Sequence, residues 1–348
     1  MVRPALFFWA AHDLRPLDRE QARAERGRNA SGEHVTGSIR IASIGECMIE
    51  LRHLSESRLD LAFGGDTFNT AAYLARLAGD TLAVDYVTAL GDDPYSAAMR
   101  AAIAAEDVGT GLIAALPGRL PGLYSIRVDA HGERSFHYWR REAAARAMFD
   151  GEAGERLVAT LATYDWLYVS GITLSILEPA ARERLFALLA TARARGARVA
   201  FDTNFRPRGW PDRDIARAVM IRALGLTDIA LPTFPDEASL FGDADPDATV
   251  ARMAALGVPE IVVKNGPDPV RLRSMAGDES VACPPVAEIV DTTAAGDAFN
   301  AAYLAARIGG APPREAVRAG ARLAGTVIGH RGAVIPRAAM PAPETSGC

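Results

Sequence analysis

Strand-like and helix-like stretches alternate along the chain from residue 39 to residue 328, and this alternation restricts the fold more than any other feature. Ile39-Arg40-Ile41-Ala42-Ser43-Ile44 has the period of a strand and stops at Gly45. Asp66 to Ala78 has helical spacing, with Asp66 or Thr67 as the expected cap and Gly79 as the stop. Val84–Leu90 reads as a strand, and Pro94 opens a helix that runs to about Glu106. The pattern recurs as strand 166–169, helix 178–195 with Pro179 in its first turn, and strand 199–202. It continues as strand 227–231, helix 235–241, helix 246–256 and strand 260–264, and helices at about 296–308 and 313–328 close it. Such alternation predicts an α/β fold with a mainly parallel sheet covered on both faces by helices.

Two stretches break the alternation. Residues 47–63 read as short strands, and Leu123–Val128 and Glu133–Arg140 flank Asp129-Ala130-His131-Gly132 as a hairpin. Both are rich in polar and aromatic residues, which places them as a small β lid beside the main sheet.

Composition narrows the function. Hydrophobic residues make up 49% of the 348, so a large core is feasible, and acids and bases are mixed around a net charge of -5. That balance predicts neither a nucleic-acid footprint nor an anionic-membrane surface. Lys264 is the only lysine among 38 basic residues, a bias toward arginine that coding composition explains. Cys47, Cys283 and Cys348 are too few and too scattered for a disulfide framework or a zinc site, and suit reduced thiols in a cytoplasmic protein. No apolar run reaches the roughly 20 residues of a membrane helix. Residues 1–38 read as an N-terminal extension, or as the product of an upstream start codon, and residues 341–348 as a tail.

Four segments carry chemistry, each where a strand meets a helix or loop. Asp291-Thr292-Thr293-Ala294-Ala295-Gly296-Asp297 follows a strand expected to end at Val290 and opens a helix. Free amides and the positive end of the helix dipole suit a phosphate there, and a carboxylate beside it can take a proton from an attacking hydroxyl. An Asp in a first turn is also an ordinary cap. In Gly64-Gly65-Asp66-Thr67-Phe68-Asn69 the glycines permit close approach of a ligand, and Asp66 and Asn69 share one helix face. A glycine turn with a capping Asp is the competing explanation. Asp202-Thr203-Asn204-Phe205-Arg206 follows a strand, at the sheet edge where open α/β sheets bind ligands, and Arg206 suits a carboxylate or phosphate. Lys264-Asn265-Gly266 is a turn able to border a nucleotide, or only a turn.

Together these segments resemble the ribokinase-like, or PfkB, family of carbohydrate kinases over residues 39–340. Ala294-Ala295-Gly296-Asp297 is similar to its C-terminal signature, and Gly64-Gly65 with Asn69 to its sugar signature. Within the family, the branch acting on 2-keto-3-deoxygluconate is the most similar, on Ile44–Leu51, Tyr86–Gly91, Leu120–Tyr124, Tyr138–Arg140 with Glu142–Ala145, Ser170–Ile172 and Arg331–Pro336. The resemblance implies a three-layer α/β/α sandwich with a lid that joins protomers into a homo-oligomer. It also implies Mg²⁺- and ATP-dependent phosphorylation of the keto acid at O6. Other sugars of the family's range, namely 2-keto-3-deoxygalactonate, fructose and ribose, and a non-catalytic sugar-acid sensor are the alternatives.

By the same resemblance Asp297 is the base, and Ala294, Ala295 and Gly296 form the anion hole. Gly64, Gly65, Asp66, Asn69, Tyr124, Arg140, Asn204 and Arg206 contact the sugar acid. Lys264, Asn265, Gly266, Pro267, Asp268 and Pro269 border ATP. Four features depart from the pattern. Ala294 stands where Gly is usual. Ile126 occupies a substrate-site position held by an arginine in some relatives, which leaves Arg127, Arg140 or Arg206 to meet the carboxylate. Asp236 replaces the glutamate that helps organise magnesium, with Glu237 as its rival. Pro267 and Pro269 remove two backbone donors from the nucleotide loop.

Overall fold

The computed structural model describes residues 38–79, 82–128 and 134–341. The expected N-terminal extension, the Asp129–Gly132 turn and the tail from residue 342 lie outside the described residues. The chain runs β1 (Ile39–Ile44), β2 (Met48–His53), β3 (Leu59–Gly64), α1 (Asp66–Ala78), β4 (Leu82–Leu90), α2 (Pro94–Ala105), β5 (Ile113–Ala115), β6 (Gly122–Val128) and β7 (Arg134–Trp139). It continues as α3 (Gly151–Leu161), β8 (Trp166–Ser170), α4 (Gly171–Ile176), α5 (Pro179–Ala194), β9 (Arg198–Asp202), α6 (Arg213–Leu224), β10 (Ile229–Ala230), α7 (Phe234–Phe241) and α8 (Pro246–Ala255). The last part is β11 (Glu260–Val263), β12 (Val270–Ser274), β13 (Gly277–Val281), α9 (Ala295–Ile308) and α10 (Pro313–Ile328).

Nine strands form one sheet in the order β13-β12-β11-β10-β9-β8-β1-β4-β5. All pairs from β11 to β5 are parallel, and β12 and β13 add an antiparallel edge. Strand alternation splits the core in two. Ile41, Trp166 and Tyr168 face a layer with Phe68, Tyr73, Phe299 and Tyr303 from α1 and α9. Their neighbours Ala42, Ile44, Leu167 and Val169 face a layer with Leu185, Leu189, Met220 and Met253 from α5, α6 and α8. The expected three-layer sandwich is therefore present.

The lid is a four-stranded sheet in the order β3-β2-β6-β7, with β2 and β6 parallel and the outer pairs antiparallel. It has a small core of its own in Met48, Tyr124 and Ile126.

The strand expected to end at Val290 is absent. The backbone amides of Val290 and Asp291 instead donate to the Ile328 carbonyl at the end of α10, at 2.8 and 3.0 Å, so this segment is tied to a helix rather than to the sheet. The cap expected at Asp66 or Thr67 is also absent: α1 begins at Asp66, and Gly65 holds the cap position without a side-chain bond. Strands β12 and β13 and helices α3, α4 and α6 were not marked by the sequence pattern.

Candidate active site

β1 has β4 on one side and β8 on the other, so the order of connections reverses beside it. Ligand crevices of open α/β sheets form at the carboxyl ends of strands near such a reversal. There the chain places Asp202 and Asn204 after β9, Asp236 after β10 and Lys264 after β11, with the starts of α1 and α9 beside them.

Asp297 lies in the first turn of α9 and is half-buried. Asn69 of α1 donates from Nδ2 to its Oδ2 at 2.8 Å. The other amide atom, Asn69 Oδ1, is buried without a partner among the described residues, an acceptor left for a hydroxyl. Desolvation, then the nearby charge of Asp66, push the Asp297 carboxyl up to about 7. Burial likewise raises Asp66, whose Oδ2 accepts from Asn204 Nδ2 at 2.8 Å.

The segment before Asp297 is shaped for an anion. Ala294 has φ 60 and ψ 12, the left-handed conformation that an L side chain adopts at a cost of about 1–2 kcal/mol. Among the described residues the amides of Gly296 and Asp297 have no hydrogen-bond partner, as the first turn of a helix requires. The Ala295 amide is engaged, donating to Thr292 O at 3.3 Å.

The glycine pair also meets a packing requirement. A Cβ on Gly65 would sit 2.2 Å from the Glu46 carbonyl oxygen, and one on Gly64 would sit 2.7 Å from Tyr124 Oη. A side chain at either position would collide with the protein itself, so glycine is needed there for β3 and α1 to pack against Tyr124 and Glu46. Tyr124 donates to Glu50 Oε2. Ile126 is buried on the same strand face, in the lid core, and exposed Arg127 points to the other side.

The arginines differ in their freedom. Arg140 is paired with Glu46, a wholly buried carboxylate that burial pushes up. Arg206 donates through Nη1 to Asp236 at 2.9 and 3.1 Å, and its side chain is 55% exposed. Of the three candidates at the sheet edge and lid, Arg206 presents its guanidinium most openly at the crevice. Glu237, the alternative to Asp236 for the magnesium role, faces inward. Its side chain is 0% exposed, held by Arg252 Nη2 at 2.6 Å and by the Thr203 hydroxyl, so it does not reach the crevice.

Lys264 points inward rather than along the nucleotide loop. Its Nζ donates to Asp202 Oδ2 at 2.9 Å and to Asn300 Oδ1 at 2.8 Å. The remaining loop residues, Asn265 to Pro269, form an open turn with Gly266 at φ 58, closed by a 3.1 Å bond from Asp268 N to Asn265 O. Sequence reasoning named Asp202 only as part of its segment and passed over Asn300 and Tyr168 as site-supporting groups. An Asn one helical turn after Asp297 was the signal available for Asn300.

The profile of the pfkB family carbohydrate kinases matches residues 38–339. The chain belongs to the PfkB family of carbohydrate kinases. It is 47% identical over 312 residues to 2-dehydro-3-deoxygluconokinase of Escherichia coli K12, a match covering 88% of this chain and 100% of the relative. It is 45% identical to the 2-dehydro-3-deoxygluconokinase of Dickeya dadantii, covering 87% of this chain and 98% of that one. Fructokinase of Xylella fastidiosa, solved with bound ATP, has the same fold, with TM-score 0.73 and 24% identity over 87% of this chain and 95% of its own. This PfkB kinase has no helix among its described residues long and apolar enough to cross a membrane.

Proposed function

We propose that this PfkB kinase transfers the terminal phosphoryl group of ATP to O6 of 2-keto-3-deoxy-D-gluconate, with Asp297 as general base. One observation carries the reading. A half-buried carboxylate with raised proton affinity sits at a helix start whose Gly296 and Asp297 amides are unpaired among the described residues, beside an unpaired Asn69 acceptor. The names and high identity of the bacterial relatives support the substrate.

In this mechanism Asp297 accepts from the O6 hydroxyl and takes its proton as the oxygen attacks phosphorus, while Asn69 Nδ2 holds Asp297 and Asn69 Oδ1 accepts from a second hydroxyl of the sugar acid. The amides of Gly296 and Asp297 receive the charge that grows on the transferred phosphoryl oxygens. Asp66 and Asn204 bind further hydroxyls, and Arg206 meets the carboxylate. The donor set at the crevice fits a nucleotide-bound Mg²⁺: Asp236 is the carboxylate there, and a hard cation held mostly by phosphate and water needs little more. Held there beside Asp236, the ion would supply neutralisation of phosphate charge. The Lys264–Pro269 segment contributes its open turn to the nucleotide side.

ATP turnover with 2-keto-3-deoxygluconate, its galacto epimer and fructose tests the assignment. Highest kcat/KM is expected with the gluco acid. Preference for fructose would overturn the substrate, and no turnover with any of the three would favour a sensor. Arg206→Ala is expected to raise KM for the acid by about tenfold, the value of one charge-assisted hydrogen bond, with a smaller change for ATP. Equal rises for both would remove Arg206 from the acid site.

The lid's face away from Tyr124 exposes Leu59, Leu61 and Trp139 at 49%, 46% and 62%. We infer that this face joins two copies of the chain. Trp139→Glu is then expected to shift the sedimenting species toward monomer at micromolar concentration; an unchanged distribution would place the contact elsewhere. The free thiols of Cys47 and Cys283 support a cytoplasmic setting.

A further inference from the structure

The protein has a single lysine, and the fold buries it beneath the catalytic loop. Lys264 directly follows β11 with a side chain 8% exposed, and its Nζ lies between Asp202 and Asn300. Asn300 belongs to α9, three residues past Asp297, and its Nδ2 donates to Asp202 Oδ2 at 2.6 Å and to Tyr168 Oη at 3.1 Å. Thr70 of α1 donates to the same Tyr168 oxygen at 3.3 Å and to the Asp297 carbonyl at 3.3 Å. A Cβ built on Gly296 would lie 3.6 Å from Lys264 Nζ, with nothing nearer. The ammonium is thus directly under the loop that carries the unpaired amides.

The charges around Asp297 are unbalanced. Asp66 from α1 and Asp202 from β9 face it as like charges, and Tyr73 and Tyr168 face it from α1 and β8. Lys264 is the cation acting on this group. Two carboxylates push the proton onto Asp297, and one buried ammonium opposes them. Burial also keeps water from screening that ammonium.

We propose that Lys264 is the positioning residue for Asp297: with Asp202 and Asn300 it forms a buried bracket under residues 294–297 that keeps the base ionised near neutral pH and the loop in register with it. This goes beyond the sugar-kinase reading and rests on it only for the role of Asp297. It also gives Lys264 a task other than touching the nucleotide.

The lone lysine makes the test direct. Protein labelled with ¹³C,¹⁵N-lysine, on a full chain with no added lysine, gives one side-chain amine resonance without assignment. Its shift is expected to show a step near neutral pH that is lost in Asp297→Asn. A step of the same midpoint and size in Asp297→Asn, or no step between pH 5 and 9 in the parent, would overturn the proposal whatever the activity. Lys264→Met is expected to move the acid limb of kcat/KM upward by about one pH unit, while Lys264→Arg keeps it near the parent. If the amine step behaves as expected but the limb of Lys264→Met stays put, the electrostatic link holds and Asp297 loses its place as base. Should Lys264→Met fail to fold, the amine titration of the parent and Asp297→Asn still decides the link.

Discussion

Asp297→Asn is expected to lower kcat by at least ~10², the low end for loss of a general base, while making the protein more stable above neutral pH. The amide keeps the size of the side chain and can still accept from Asn69, so the start of α9 should be preserved. The carboxyl of the parent is pushed up to about 7 by desolvation and by Asp66. Its folded value therefore lies above the value in the unfolded chain. Between pH 4 and 7 the unfolded chain gives up this proton first, so the folded state is progressively disfavoured as pH rises, and above pH 7 the full penalty remains. Asparagine carries no such penalty. The variant should gain roughly 2 kcal/mol over the parent at pH 8, a value discounted for the half-open position of the carboxylate, and almost nothing at pH 4. Thermal melts at the two pH values check the stability; single-turnover phosphoryl transfer checks the rate. A variant with full activity refutes the base, and one whose stability difference ignores pH refutes the desolvated environment.

Arg252→Ala should be the most damaging change away from the crevice, costing about 3 kcal/mol at pH 8. Arg252 reaches Glu237 at 2.6 Å and Asp243 at 2.7 Å, and both carboxylates are nearly or wholly buried. Removing the guanidinium leaves two buried negative charges with only the hydroxyls of Thr203 and Thr249. Even with Arg252 present, burial pushes Glu237 up to about 7. At pH 5 Glu237 is already protonated, so less charge is stranded and the loss should be visibly smaller. Urea unfolding of parent and variant at pH 5 and 8 measures this. A loss below about 1 kcal/mol at pH 8, or an equal loss at both, would show that the cluster relaxes or hydrates. Activity should fall with stability rather than ahead of it, because Glu237 braces Thr203 from behind and takes no part at the crevice.

The main sheet was legible because parallel strands buried on both faces leave continuous apolar runs, as at Trp166–Val169 and Val262–Val263. Strands β12 and β13 were missed for the opposite reason. Arg271, Arg273, Asp278 and Glu279 give an edge hairpin a charged, solvated surface that reads as loop. Helix α6 was hidden by alternating arginines on its outer face. At the site, residue types at strand ends pointed to Asp297, Asn69, Asp66, Asn204 and Arg206. What the sequence did not convey was direction. Lys264 and Asn265 are neighbours, yet one is buried and the other half-open, because the chain turns just after β11. Glu237 and Asp236 diverge in the same way on the first turn of α7. At the glycine pair a missing side chain marks a close approach, and the sequence alone did not name Tyr124 and Glu46 as the neighbours.

Ala294 holds a backbone conformation that glycine would adopt at lower cost, and it does so immediately before a helix that could otherwise wind one residue further back. That extension is blocked while the left-handed geometry persists, so the outward amides cannot be consumed by an extra helical turn. If these amides receive phosphate as proposed, they are set before any nucleotide arrives, and the entropy of ordering them belongs to folding rather than to each catalytic cycle. A glycine there would loosen that setting, giving a calmer resting protein and a slower trap for the anion.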